Sequence, residues 1–202
     1  MLFVRKPSLA TIHEFLRSQS KLEFSYRNVG ATAEVHPTNT KVDHTRIKLG
    51  QGAEVFERAK ASLRRWDQFR LGWVEASPTD TPIEVGVVVA VVAKQVGLWW
   101  LNACRIVYVV DDVGPDNRFG FAYGTLPDHC GKGEERFLVE WDRAGGDVFY
   151  DILAFSQPNH FLTRLGYPYM RRVQKRFGRA SSAAMLRAVG ASEQKCSARE
   201  GF

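Results

Sequence analysis

The densest gathering of reactive side chains in this sequence is GTLPDHCGKGEE, residues 124–135, which sets His129, Cys130, Glu134 and Glu135 beside aromatic-rich segments. An imidazole and a carboxyl group at a cavity mouth are what general acid–base catalysis uses, so Glu135 and His129 are the candidate catalytic residues. The plainer reading is that Pro127, Gly131 and Gly133 shape a long hairpin loop whose polar residues face water. Cys130 next to His129 invites a reactive-thiol reading, but neighbours in a loop seldom form a working pair. Gly50-Gln51-Gly52 follows a strand pattern and precedes a helical one, as a dinucleotide loop does. The position of the third glycine is Val55, however, and no parallel sheet is expected. The chain contains no GxxxxGK[ST] loop, GxSxG elbow or HExxH pair. His13, His36, His44, His129 and His160 show no ligand spacing, so neither a metal nor a cofactor is expected.

The elements that must position these groups follow from periodicity. Ser8 caps a short helix with Leu9, Ile12 and Leu16 on one face. The stretch FSYRNVGATAEVHPTN is irregular, and residues 43–49 alternate weakly as a strand. Helical spacing returns over 53–66 at Val55, Phe56, Ala59, Leu63 and Trp66. The period then changes to two. Segments near 69–76, 83–94, 98–111, 118–126, 134–142 and 147–156 are rich in Val, Ile and aromatic residues, with turn signals between them. No room exists for crossover helices, so these strands are antiparallel neighbours. The chain closes on a long helical pattern with an apolar stripe of Leu162, Leu165, Tyr169, Val173 and Phe177, which Gly166 and Pro168 kink or restart.

This order predicts an α+β fold: a curved antiparallel sheet of about seven strands gripping a long C-terminal helix, because the sheet's apolar face needs a cover of that length. Residues 1–40 form an N-terminal helical extension, 41–190 the domain itself, and 191–202 a frayed tail. The 202 residues are 45% hydrophobic and 25% charged, an ordinary globular composition. The longest apolar run, Val85 to Ala93, is about half what a bilayer demands. Three cysteines without a CxxC pair fit a reducing cytoplasm. The net charge of +6 is local: His160 to Val189 carries seven cations and no acid, leaving −1 on the rest. That strip suits nucleic acid or an anionic membrane surface, although a solvated helix face is the commoner meaning of such a run.

A sheet wrapped around a helix leaves an apolar hollow, where ligands go. Alternation turns Glu135, Phe137, Val139 and Trp141 inward, along with Phe119, Phe121, Tyr123 and Thr125. It places Trp99, Leu101, Ala103, Val107 and Val109 on one face with Arg105. Gly120, Ala122 and Gly124 leave the opposite face of their strand bare, which admits close packing or leaves space. Arg105 and Glu135 are expected to share a polar patch at the cavity wall, because an isolated buried charge is costly. The candidate ligand-binding residues are Trp99, Asn102, Arg105, Phe121, Tyr123, Thr125, Glu135, Phe137, Trp141 and Tyr150.

The segments FSYRNVGAT (24–32), DHTRIKLGQG (43–52), FERAKASLRRW (56–66), LNACRIVYVV (101–110), RFGFAYGTLPDH (118–129), GEERFLVEW (133–141) and FYDILAFSQPNHFLTRLGYPYMRRVQKRF (149–177) resemble the plant and bacterial family called domain of unknown function nineteen-ninety. The resemblance spans roughly residues 8 to 185, with extra residues between Ala31 and Val42. It implies similarity to the helix-grip superfamily of the birch-pollen allergen, START lipid-transfer domains and polyketide cyclases, and no particular reaction. The expected function is binding or carriage of a small hydrophobic or amphipathic molecule between sheet and helix. The alternatives are an enzyme of cyclase, hydrolase or isomerase type in the same cavity, and an interaction module using the basic helix.

Overall fold

A computed structural model describes residues 1–33, 42–114, 116–158 and 167–190. After a two-residue strand β1 (Leu2–Phe3) come α1 (Leu9–Gln19), a 3-10 turn at Ala31–Ala33, β2 (Val42–Gln51) and α2 (Gly52–Arg64). A second 3-10 turn, Asp67–Phe69, leads into β3 (Val74–Ser77), β4 (Val88–Gln95), β5 (Leu98–Asp112), β6 (Asp116–Thr125), β7 (Gly131–Asp142) and β8 (Asp147–Pro158). The chain then enters the long helix α3 (Tyr167–Gly190). All strand pairs are antiparallel, in the spatial order β2-β8-β7-β6-β5-β4-β3, with β1 beside β5. The sheet meanders from β3 to β8, and β2 closes its edge against β8. Register shifts between Lys48 and Gly50 and between Ile106 and Tyr108 help the sheet curl. This is the expected helix-grip architecture.

Two cores flank the sheet. On the concave face, α2 and α3 cover Leu49, Ile106, Phe121, Phe137, Tyr150 and Ile152. α2 turns Phe56, Ala59, Ser62 and Leu63 inward at helical spacing. α3 buries Ser181, Met185 and Val189, with Phe177 packed against the same core. Gly178 lets α3 approach β2 closely, since a Cβ there would lie 3.1 Å from the Thr45 hydroxyl oxygen. On the convex face, α1 lays Ile12, Phe15 and Leu16 over Ala90, Val92, Leu101 and Ala103. The Ser8 hydroxyl caps α1 by accepting from the Thr11 amide. β4 is therefore apolar on both sides, which explains the unbroken run read in the sequence.

Several expectations change. The segment taken as a strand from 69 begins at Val74, because Trp66 adopts a left-handed conformation (φ 57°) and starts the 3-10 turn. Phe69 thereby becomes a knob in the concave core. The β5 bulge turns Tyr108 outward and Val109 inward, so Val109 does not share a face with Arg105. Tyr169 is exposed and donates to the Gln95 side chain instead of joining the apolar stripe. Pro168 lies in the first turn of α3, where a missing N–H is tolerated. Leu162, Leu165, Gly166 and the tail 191–202 lie outside the described residues. Among the described residues no helix is long and apolar enough to cross a membrane.

Candidate functional site

The pleat of β7 sends two consecutive carboxyl groups to opposite faces of the sheet. Glu134 points outward and is only 2% exposed. It accepts from the Tyr26 phenol (2.6 Å), the Gly30 amide (2.7 Å), the Thr32 amide (2.9 Å) and the Thr32 hydroxyl. Burial and the adjacent Glu134 both push the Tyr26 phenol up, so it stays a donor. Opposite Glu134 on β6 stands Gly124, where a Cβ would fall 2.1 Å from the Tyr26 phenol oxygen. The bare face of β6 thus seats the N-terminal segment. Arg136 adds a bond to the Thr32 carbonyl and pairs with buried Asp151.

Glu135 points inward, opposite Tyr123, onto a cavity of about 210 Å³ between the sheet and α3. Phe69, Trp73, Val91, Ile152, Val173 and Phe177 supply its apolar lining. The polar groups at its wall are mostly committed. Asp43 is gripped through both oxygens by Arg171 of α3. Asn102 accepts from the Cys130 amide and donates to the Val91 carbonyl. The Thr125 hydroxyl accepts from the Gly133 amide and pairs with Ser25. Gln174 donates to the Ser156 hydroxyl at 2.5 Å. Glu135 has a single donor among the described residues, the Tyr123 phenol at 2.7 Å. Burial raises its carboxyl to about 7; Asp43 adds to the rise and the Tyr123 bond opposes it. Glu135 keeps some accessible surface because it opens onto the hollow.

The model of the family described as Domain of unknown function (DUF1990) matches residues 25–184. The chain belongs to the DUF1990 family. A UPF0548 protein of Dictyostelium discoideum is 40% identical over 211 residues, covering 96% of this chain and 98% of its own. Another from Deinococcus radiodurans is 35% identical, covering 94% of this chain and all of its own. Among solved structures, TTHA0849 from Thermus thermophilus superposes with a TM-score of 0.50 at 14% identity, over 75% of this chain and 99% of that one. That likeness concerns the fold alone.

In this DUF1990 chain, Asn102, Tyr123, Thr125, His129 and Glu135 border the cavity. Phe121, Phe137 and Tyr150 are buried in the packed core instead. Phe121 meets Trp66 at 4.8 Å between ring centres, and the Tyr150 hydroxyl bonds to Ser181. Trp141 packs on Phe56, and Phe119 lies under Lys60 and Arg64, both away from the hollow. Trp99 belongs to the convex face beside Phe3. The expected Arg105–Glu135 patch does not exist. Arg105 opposes Gly124 and therefore lies on the convex face, where it donates to the carbonyls of Ser20 and Leu22 and stacks on Phe24.

His129 holds its Nδ1 3.0 Å from both the amide nitrogen and the carbonyl oxygen of Gly131. Burial lowers its imidazole to about 4, so the ring is neutral near pH 7. Burial likewise raises the thiols of Cys104 and Cys130, which removes the thiolate a reactive cysteine needs. The reading from sequence missed Phe69, Trp73 and the Asp43–Arg171 pair. Asp43 sits on the inward side of β2 with Thr45, Ile47 and Leu49, and that alternation was the available signal.

Proposed function

We propose that this chain binds or carries a small hydrophobic or amphipathic molecule in the hollow between the sheet and α3. The observation that carries this reading is an apolar cavity whose wall holds Glu135 with a single donor, while Asp43, Asn102, Thr125 and Gln174 are bonded internally. Such a site fixes orientation with few polar contacts and gains affinity from apolar burial, at about 25 cal/mol per Å². The volume of about 210 Å³ lies below the ~300–1,000 Å³ of pockets for drug-sized molecules, which favours a compact ligand.

The test is native mass spectrometry of protein purified from its host, together with melting curves against a library of compact apolar and amphipathic molecules. A ligand at a hundred times its Kd stabilises by about 2.7 kcal/mol, a shift of several degrees for a chain this long. Ala154 lines the cavity opposite Glu135, and Ala154→Phe is expected to fill the hollow and abolish the shift. A shift that persists in this variant, or no shift with any compound, counts against the reading.

A second reading draws on Glu135 itself. A carboxyl group raised to about 7 exchanges its proton near neutral pH, the property a general acid–base catalyst needs. Tyr123 would orient it. His129 suits this role poorly, being neutral and held by the backbone of its own loop. Turnover that disappears in Glu135→Gln while the fold persists would favour catalysis over carriage. The basic strip of α3 supports a binding role less well, since Arg171 is spent on Asp43 and Arg176 lies 4.2 Å from the centre of the Trp73 ring.

A further inference from the structure

The charge balance of the hollow restricts what enters it. Apart from Lys132 at the wall, the titratable groups around Glu135 are neutral near pH 7 or already paired. Tyr123 on β6, Tyr150 on β8 and Cys104 on β5 are buried with raised values, so they remain protonated. Cys130, in the loop between β6 and β7, is also raised, and neighbouring His129 is lowered. Asp43 of β2 is matched by Arg171 of α3. Lys132 borders the cavity from β7 but makes no ion pair with Glu135, as it shares the outward parity of Glu134. Glu135 is left as an acid with no counter-cation among the described residues, facing an apolar space.

Resting on the binding role proposed above, we infer that the ligand carries a protonated amine, with Glu135 as the carboxylate that receives it and Tyr123 as the donor that fixes that carboxylate. An anionic ligand would meet Glu135 and Asp43 with Arg171 already engaged, and burial of like charge is prohibitive. A purely apolar ligand would shut the carboxyl away from water with one donor, which costs free energy without return. An ammonium group supplies both the missing charge and up to three donors. The apolar body then lies among Phe69, Val91, Ile152 and Phe177, and the aromatic faces favour a nearby cation.

The arrangement couples binding to protons. Free Glu135, at about 7, is protonated in roughly half the molecules at neutral pH. A bound ammonium favours the ionised form, so binding releases part of a proton, and affinity rises with pH through about 7 and levels off above it.

The experiment compares benzylamine, benzyl alcohol and benzoate as probes by calorimetry and ligand-observed NMR, from pH 5 to 8. Benzylamine is expected to bind about tenfold or more tightly than benzyl alcohol at pH 8, an advantage that shrinks below pH 6. Benzoate is expected to be the weakest. In Glu135→Gln the amine and the alcohol should bind alike. Calorimetry of the unaltered chain at pH 7, in two buffers of different ionisation enthalpy, should register proton release with benzylamine and none with benzyl alcohol. Equal affinity for amine and alcohol at pH 8, a preference that survives Glu135→Gln, or the absence of proton release overturns the amine inference and leaves the cavity reading standing. Failure of all three probes and of the compact-ligand library overturns both.

Discussion

Glu134 and Glu135 are covalent neighbours on one strand, and their surroundings differ by donor count. Glu134 meets four donors, from Tyr26, Gly30 and Thr32, on the convex face. Glu135 meets one, from Tyr123, at the wall of a hollow. A carboxylate offers about four lone-pair sites, so the first group is saturated and the second is not. The saturated group fastens a segment of chain to the sheet. The unsaturated one, held in an apolar wall with its carboxyl raised to about 7, has unused capacity for a partner from outside. Proximity in sequence therefore says little about role here, whereas the number of donors that the fold delivers says a great deal.

The sharpest way to break this contrast is Glu134→Ala, which strands four donors at a site closed to water. The expected loss is about 3–5 kcal/mol in chemical denaturation, with amide exchange rising across residues 25–33. A loss below about 1 kcal/mol would mean that Glu134 is not the fastener. Gly124→Ala attacks the same clasp from β6 by driving a methyl group into the Tyr26 ring, and about 2–3 kcal/mol should be lost. Tyr26→Phe in that background should add less than it costs alone, since both changes break the bond to Glu134.

The opposite sign is expected on the inner face. Folding raises the Glu135 carboxyl from 4.5 to about 7, so the unfolded chain releases its proton at lower pH than the folded one. This group destabilises the fold progressively between about pH 4.5 and 7, and the penalty is constant above that. Glu135→Gln should match the unaltered chain near pH 4 and exceed it by about 1–2 kcal/mol at pH 8, as read from unfolding curves across that range. A pH-independent difference would remove the contrast between the two carboxyl groups. The smallest effect belongs to Arg105→Ala on the convex surface, where two exposed hydrogen bonds and a stacked ring are worth about 1 kcal/mol or less. Ligand-induced melting shifts should be unaffected by that change.

Much of this contrast was legible before any fold was built. Alternation along 134–142 placed Glu134 and Glu135 on opposite faces, and the same rule turned Tyr123 and Thr125 inward. It failed where the backbone departs from a regular pleat. The bulge between Ile106 and Tyr108 turned Val109 inward. The left-handed Trp66 converted the start of an expected strand into the turn that delivers Phe69. Arg105 shares its strand face with apolar residues, and that pattern points it to the cavity. Trp99, Leu101 and Ala103 do belong to a core, but to the one beneath α1 rather than the one beneath α3.

Pattern and composition determined the order of elements, their antiparallel pairing and the faces along most strands, because these depend on residues close together in the chain. Only tertiary structure decided how each face is used. The donors that saturate Glu134 come from 102 to 108 residues away, and Asp43 meets an arginine 128 residues on. The hollow exists because α3 and the 3-10 turn at Phe69 stop short of filling the curled sheet. That gap is a difference between distant surfaces, and no local run of residues encodes it.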